Sequence, residues 1–188
     1  MKKIMFNDRY GLTQAVIEGR KTMTRRIVPT KTRLRRALAV IHDEPHGSEQ
    51  EEYLKSAYYK VGEIVAVAQN YSSFYNILDN TRPIPEGAGW DNKMFVRADL
   101  MPHQIRITGI RCEKLQDISN EECLREGIRQ FTPNFPKNFP IHPTHFVVGD
   151  ILKDTPREAF ASLIDKVSGK GTWASNPWVV AYEFELVK

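Results

Sequence analysis

The sequence predicts an α+β domain: a small mixed or antiparallel β-barrel with short helices outside it. Five or six strand-like segments are separated by irregular connections, not by regular crossover helices. That spacing argues against a doubly wound parallel sheet. Three helices are short, and two of them open on capping boxes. The 188-residue chain is long enough to remove about 70% of its unfolded surface from water as one domain.

The elements follow in order. Tyr10 to Glu18 places Leu12, Ala15 and Val16 at helical spacing, and Gly19 is its stop. Thr22 to Val28 is extended and ends at Pro29. Residues 30–60 read as an insertion. It holds the basic run Arg33-Leu34-Arg35-Arg36, the polar stretch His42 to Gln50, and a helix through Glu52, Tyr53, Leu54 and Tyr58. Val61 to Val67 is a turn and then a buried strand. Residues 71–92 are irregular, and Met94 to Arg97 is a short strand.

Ile105 and Ile107 alternate with Arg106 and Thr108, and the phase slips at Gly109, as in a bulge. Ser119-Asn120-Glu121-Glu122 caps a helix that stops at Gly127. Residues 128–150 carry prolines 133, 136, 140 and 143 and Phe131, Phe135 and Phe139, a pattern expected of a long loop. Thr155-Pro156-Arg157-Glu158 is the second capping box, opening a helix through Phe160, Leu163 and Ile164 to about Gly169. Trp178 to Val187 alternates as the closing strand.

Hydrophobic residues are 41% of the chain and charged residues 27%, as in folded globular proteins. There is no apolar run near 18 residues, so no transmembrane span is expected. MKKIMFNDRYGL lacks the apolar stretch of a secretory signal. Cys112 and Cys123 fit no metal spacing and are too few for a disulfide framework, so a reducing cytoplasm is expected. The net charge is +4, unevenly spread: residues 1–40 hold eleven Lys and Arg against Asp8 and Glu18. A basic N-terminal quarter points to an anionic partner, with nucleic acid or a nucleotide first; a solvated basic surface is the other reading.

No GxxxxGK[ST] or GxGxxG run is present. His142 and His145 lack a third ligand, so no metal site is expected. The densest polar cluster is Gly19-Arg20-Lys21-Thr22-Met23-Thr24-Arg25-Arg26. Its guanidiniums and ammonium suit a phosphate or a polarised carbonyl. A lysine desolvated among other cations can lose its proton and act as base on a nearby threonine hydroxyl. The competing reading is a basic edge strand in water.

GRKTMTRR resembles the GxKTxxxR motif of the ASCH family, whose domains have a PUA-like β-barrel fold associated with RNA. Val61-Gly62-Glu63-Ile64-Val65 is similar to that family's turn and strand. Lys114 to Ile128 is similar to its strand, cap and short helix. The resemblance covers about half the chain and implies a single domain over 1–188 with insertions at about 29–60, 72–92 and 129–150. Bacterial members include 4-N-acetylcytidine amidohydrolases, which remove an acetyl group from the exocyclic amine. Their lysine, threonine and glutamate fall on Lys21, Thr24 and Glu126 as catalytic residues. Gly19, Arg20, Thr22, Arg25 and Arg26 would hold the ligand.

Two functions are therefore expected. One is an amidohydrolase in which Lys21 deprotonates Thr24 and Glu126 protonates the leaving amine, with Arg26 or backbone N–H groups near Gly19 at the oxyanion. The other is a non-catalytic module binding RNA or single-stranded DNA through Arg33, Arg35, Arg36 and Trp90. Neither needs a cofactor. Lys21 and Thr24 can converge only if residues 21–24 leave regular strand geometry, because residues three apart on a strand face opposite sides.

Overall fold

The computed structural model describes residues 1–42, 47–75, 85–133 and 144–187. Among these residues the order is β1 (Lys2–Ile4), α1 (Leu12–Ile17), β2 (Met23–Ile27), α2 (Thr30–Ile41), α3 (Glu49–Lys55), β3 (Ile64–Val67) and β4 (Gln104–Lys114). Then come α4 (Asn120–Arg125), β5 (Arg129–Phe131), β6 (His145–Val148), β7 (Ile151–Lys153), α5 (Pro156–Ser168), α6 (Thr172–Ser175) and β8 (Trp178–Leu186). The class is α+β. No helix among the described residues is long and apolar enough to cross a membrane.

Five strands form a mixed sheet in the order β1-β3-β4-β8-β2. Only β1 and β3 are parallel; the other neighbours are antiparallel. The register between β4 and β8 shifts between Ile107 and Gly109. That is the bulge the phase slip predicts, and it lets one long strand turn its inner face. The four expected strands near 22–28, 61–68, 104–114 and 178–187 all lie in this sheet. Among the described residues no backbone pairing joins β1 to β2, which stand at its two edges. The edges meet through a side chain instead: Arg26 Nη2 donates to the Met5 carbonyl at 2.6 Å.

The main core lies where the five-stranded sheet meets α1, α4 and α5, and is built from Ile4, Val16, Val65, Ile105, Ile107, Leu115 and Phe160. Each such large side chain taken from water contributes about 1.5–3 kcal/mol. A second cluster, Ala66, Tyr71, Val96 and Met101, packs Phe74, Tyr75 and Trp90 against it.

Several expectations are corrected. Met94 to Arg97 is no strand: Lys93–Phe95 is a 3-10 turn capped by the Asn92 side chain. Its Met94 carbonyl and that of Val96 accept from Lys3 Nζ instead of a sheet partner. The 128–150 segment is not all loop, because β5, β6 and β7 form a separate antiparallel sheet. Prolines 136, 140 and 143 and Phe135 and Phe139 lie outside the described residues. The basic run at 33–36 is helical, within α2.

Candidate active site

Lys21 and Thr24 line one cleft because the chain enters β2 from a turn. Gly19 adopts φ +71°, ending α1. The Gly19 N–H donates to Val16 O at 2.9 Å, Lys21 N–H to Ala15 O at 2.8 Å, and Thr22 N–H to Arg125 O at 2.9 Å. Lys21 thus precedes the strand, which begins at Met23. Strand alternation does not apply to it, and Lys21 and Thr24 line the same cleft. Glu126 comes from α4, whose N-terminus is set by the reciprocal Ser119–Glu122 box and whose C-cap is Glu126 itself. Gly127 follows at φ +104°; a Cβ there would stand 3.2 Å from Leu12 and 3.5 Å from the Lys21 side chain. Glycine lets the chain pass that close.

Lys21 is buried, 2% exposed. Its ammonium nitrogen has three acceptors: Glu126 Oε2 at 2.5 Å, Met23 O at 2.7 Å and Glu126 O at 2.8 Å. Three donors meeting three acceptors satisfy the charged form. Burial works the other way and is the largest influence, lowering the lysine pKa from its ordinary value; Glu126 opposes this, while Arg26 and Arg25 add to it. The ion pair Lys-NH3⁺/Glu-COO⁻ and the neutral pair Lys-NH2/Glu-COOH hold the same number of protons. Moving one proton along the 2.5 Å contact interconverts them.

Arg25 organises the carboxylates. Its side chain is buried and binds Glu126 Oε1 at 3.1 Å, Glu122 Oε2 at 2.7 Å and Glu113 Oε1 at 2.7 Å. Arg111 also pairs with Glu113, Glu122 and Glu183, and Arg125 with Glu183. Lys21, Arg25, Arg111 and Arg125 therefore face Glu113, Glu122, Glu126 and Glu183, so formal charge cancels within the cluster. Burial pushes the Glu122 carboxyl up, but the Ser119 N–H, Arg25 and Arg111 outweigh it and hold the pKa below the ordinary value.

The cleft has a volume of about 350 Å³, within the range of small-molecule sites. Its polar side chains include Lys21, Thr24, Glu126 and Arg26, set against apolar walls such as Phe6, Phe160 and Ile164. The Phe6 ring lies under two cations, with its centroid 5.7 Å from Lys21 Nζ and 5.9 Å from Arg26 Cζ. Thr24 is buried, yet among the described residues its hydroxyl has no hydrogen-bond partner and no buried side-chain oxygen is left unsatisfied. The hydroxyl is therefore open to the cleft. A lysine, a hydroxyl, a carboxyl group and a guanidinium thus share one half-apolar space.

Of the expected ligand-binding residues, only Arg26 lines this cleft as an exposed donor. Arg25 is corrected: its guanidinium is committed to three carboxylates and positions Glu126. Gly19 is corrected too, since its N–H and those of Lys21 and Thr22 already have acceptors and cannot face an oxyanion. The Thr22 hydroxyl accepts from Arg125 Nε at 3.1 Å. Arg20 is exposed and paired with Glu18 at 2.5 Å.

Arg33 and Arg35 are exposed on α2, whereas Arg36 is half-buried and held by the Gly47 carbonyl at 3.0 Å. Trp90 is corrected as a stacking residue: its ring packs edge-on against Tyr71 and Tyr75, and Nε1 donates to Pro85 O at 2.7 Å. Among the described residues no group of three His, Cys, Asp or Glu is arranged to hold a metal ion; His142 lies outside them. Phe6, Glu113 and Arg111 were not anticipated. The apolar alternation Ile4, Phe6 was visible in the sequence; the pairing of Glu113 and Arg111 with Arg25 needs the register of three strands.

The chain matches no family model and no curated protein. Among solved structures it is similar to protein EF3133 from Enterococcus faecalis V583, a DUF984 protein, with 14% identity, 100% of this chain and 77% of that chain covered, and a TM-score of 0.39. So loose a likeness carries no argument about fold or activity.

Proposed function

We propose that this chain is an ASCH-type amidohydrolase that removes an acetyl group from the exocyclic amine of a cytidine-like nucleoside. On this reading the five-stranded sheet is a PUA-like barrel whose seam, between β1 and β2, opens at the active site. The observation that carries the reading is the buried Lys21–Glu126 contact of 2.5 Å, in a cleft that the unpartnered Thr24 hydroxyl also lines. A protein that only attracts phosphates has no use for a cation hidden from solvent and already paired with a carboxylate, since such a pair offers an outside anion no net charge and is costly to bury.

The chemistry runs from the neutral tautomer of the pair. Lys21 Nζ takes the Thr24 proton as Oγ1 bonds to the acetyl carbon. The tetrahedral oxyanion is stabilised by Arg26. The C–N bond breaks as Glu126 gives its proton to the departing amine, leaving an acetyl-threonine. Water then attacks that ester, giving its proton to Glu126, and Lys21 returns a proton to Thr24 Oγ1. Acetate and the free amine leave with the enzyme restored. Incubating purified protein with 4-N-acetylcytidine tests this: acetate release that Lys21→Ala and Thr24→Ala both abolish is expected. Folded protein that releases none would sink the proposal.

One observation favours the binding-module reading: Arg33 and Arg35 are exposed on α2. On single strands that reading expects log affinity to fall with log salt by about 0.7 per phosphate contact. Arg33→Ala and Arg35→Ala should each flatten that slope.

A further inference from the structure

A second cavity of about 350 Å³ adjoins the catalytic cleft and shares Met5, Arg26 and Ile27 with it. Its far wall is supplied by the 29–60 segment, through Pro29, Ser56, Ala57 and Tyr58. A third cavity continues from Ser56 and is lined by Arg35, Arg36, His42 and Lys55. The first two cavities thus share a wall at Met5, Arg26 and Ile27, and the third borders the second at Ser56, so the three lie in sequence along a track from Lys21, Thr24 and Glu126 to the basic face of α2. Its middle station is largely aromatic, with Tyr58, Tyr59 and Tyr182.

Each station has a distinct chemistry. Tyr58 is 63% exposed, its ring held edge-on against Tyr59 with Lys2 Nζ 4.8 Å from its centroid. An open ring fixed on one side suits stacking of a planar base. Arg26 stands between the first two cavities, exposed and anchored by a single bond to Met5 O, so donors remain for an anion. In the third cavity Glu52 is 3.7 Å from Arg36, which leaves Arg35 and Lys55 as cations facing the track. Two adjoining cavities of about 350 Å³, with cations beyond the second, suit neighbouring bases of a nucleic-acid strand and the phosphate that follows.

We infer that the substrate is a single-stranded nucleic acid and not a free nucleoside, with Tyr58 stacking the base next to the acylated one and Arg35 and Lys55 holding the phosphate beyond. This rests on the amidohydrolase reading for the identity of the reacting base. The track itself rests on the three adjoining cavities.

The test compares acetylated cytidine with hexanucleotides, RNA and DNA, carrying one acetylated cytosine. It also measures binding of the unmodified hexanucleotides by fluorescence anisotropy. The expected kcat/KM is about tenfold or more higher on a hexanucleotide, and Tyr58→Ala removes that gain while leaving the nucleoside rate unchanged. Tyr58→Ala and Arg35→Ala also weaken hexanucleotide binding, and both residues are exposed enough to be replaced without unfolding. Equal rates on nucleoside and hexanucleotide, with binding unaffected by either substitution, overturn the inference. If no acetylated compound is hydrolysed but binding still depends on Tyr58 and Arg35, the amidohydrolase reading fails and the strand path stands.

Discussion

Glu126 offers Lys21 two acceptors at once, its carboxylate Oε2 at 2.5 Å and its own backbone carbonyl at 2.8 Å. The residue that closes α4 therefore also closes the site. The lysine meets the C-terminal end of a helix, where a cation is electrostatically favoured. The side-chain contact is removable by mutation, but the carbonyl contact is not.

Glu126→Gln keeps the shape and the carbonyl but leaves Lys21 buried without its counter-charge. Breaking a buried pair from one side costs about 3–5 kcal/mol. Lys21→Met should cost less, because Glu126 keeps Arg25 at 3.1 Å. The double variant should be more stable than the two single losses added together, since the second change removes the stranded charge. Urea unfolding of the four proteins measures this. Strictly additive losses would mean that the pair is not coupled.

Arg25 tests positioning without touching the cleft's open donors. Lysine at 25 keeps the charge but cannot reach three carboxylates from one point. Arg25→Lys should lower kcat on acetylated cytidine about tenfold or more while leaving KM nearly unchanged, because Glu126 is displaced and the binding walls are intact. A rise in KM at constant kcat would return Arg25 to the role of ligand donor.

How much of this was legible in the sequence differs residue by residue. The Ser119–Glu122 box and the Gly109 slip rest on interactions within a few positions and stand where expected; at Thr155 the hydroxyl accepts from the Glu158 N–H and α5 starts as expected. The Lys21-Thr22-Met23-Thr24 run and Glu126 were also visible, as candidates. Their meeting depends on Lys21 N–H donating to Ala15 O and on Thr22 N–H donating to Arg125 O, the second a contact 103 positions away. Arg25 looked like its neighbours because sequence shows charge without its partners. Its three carboxylates come from β4 and α4. Trp90 was expected as a stacking residue because no local pattern shows its partners, Tyr71 and Tyr75, which are 15 or more positions earlier in the sequence.

The two buried thiols contribute to the alkaline decline of the fold, alongside Tyr59, which burial pushes up to about 12. Burial pushes Cys112 up to about 11 and Cys123 to about 12. In the unfolded chain both ionise near the ordinary value of about 8.5. Above that pH the unfolded state releases protons that the folded state keeps, so stability falls as pH rises toward 11 and 12. Lys21 runs oppositely, since its folded pKa is lowered, so the readout is the difference between wild type and Cys123→Ala. The variant should show a shallower alkaline decline in urea midpoint. Both thiols of the native protein should also resist iodoacetamide at pH 8 and react after unfolding. Rapid alkylation of Cys123 in the native state would contradict its burial.

The pH–rate profile tests the shared proton directly. On the proposed chemistry Lys21 must be able to accept a proton and Glu126 to donate one. The rate should fall on the alkaline side when the pair loses its last proton. Burial disfavours the Lys21 ammonium, so the alkaline limb should lie below the ordinary lysine value of about 10.4. Lys21→Arg should be inactive at every pH, because a guanidinium keeps its proton and cannot deprotonate Thr24. Lys21→Ala with Thr24→Ala should be little slower than either alone, since base and nucleophile act in one step. Initial rates of acetate release from pH 5 to 11 give the profile. Full activity in Lys21→Arg would remove Lys21 as the base, and an alkaline limb at or above the ordinary lysine value would show that desolvation does not govern the pair.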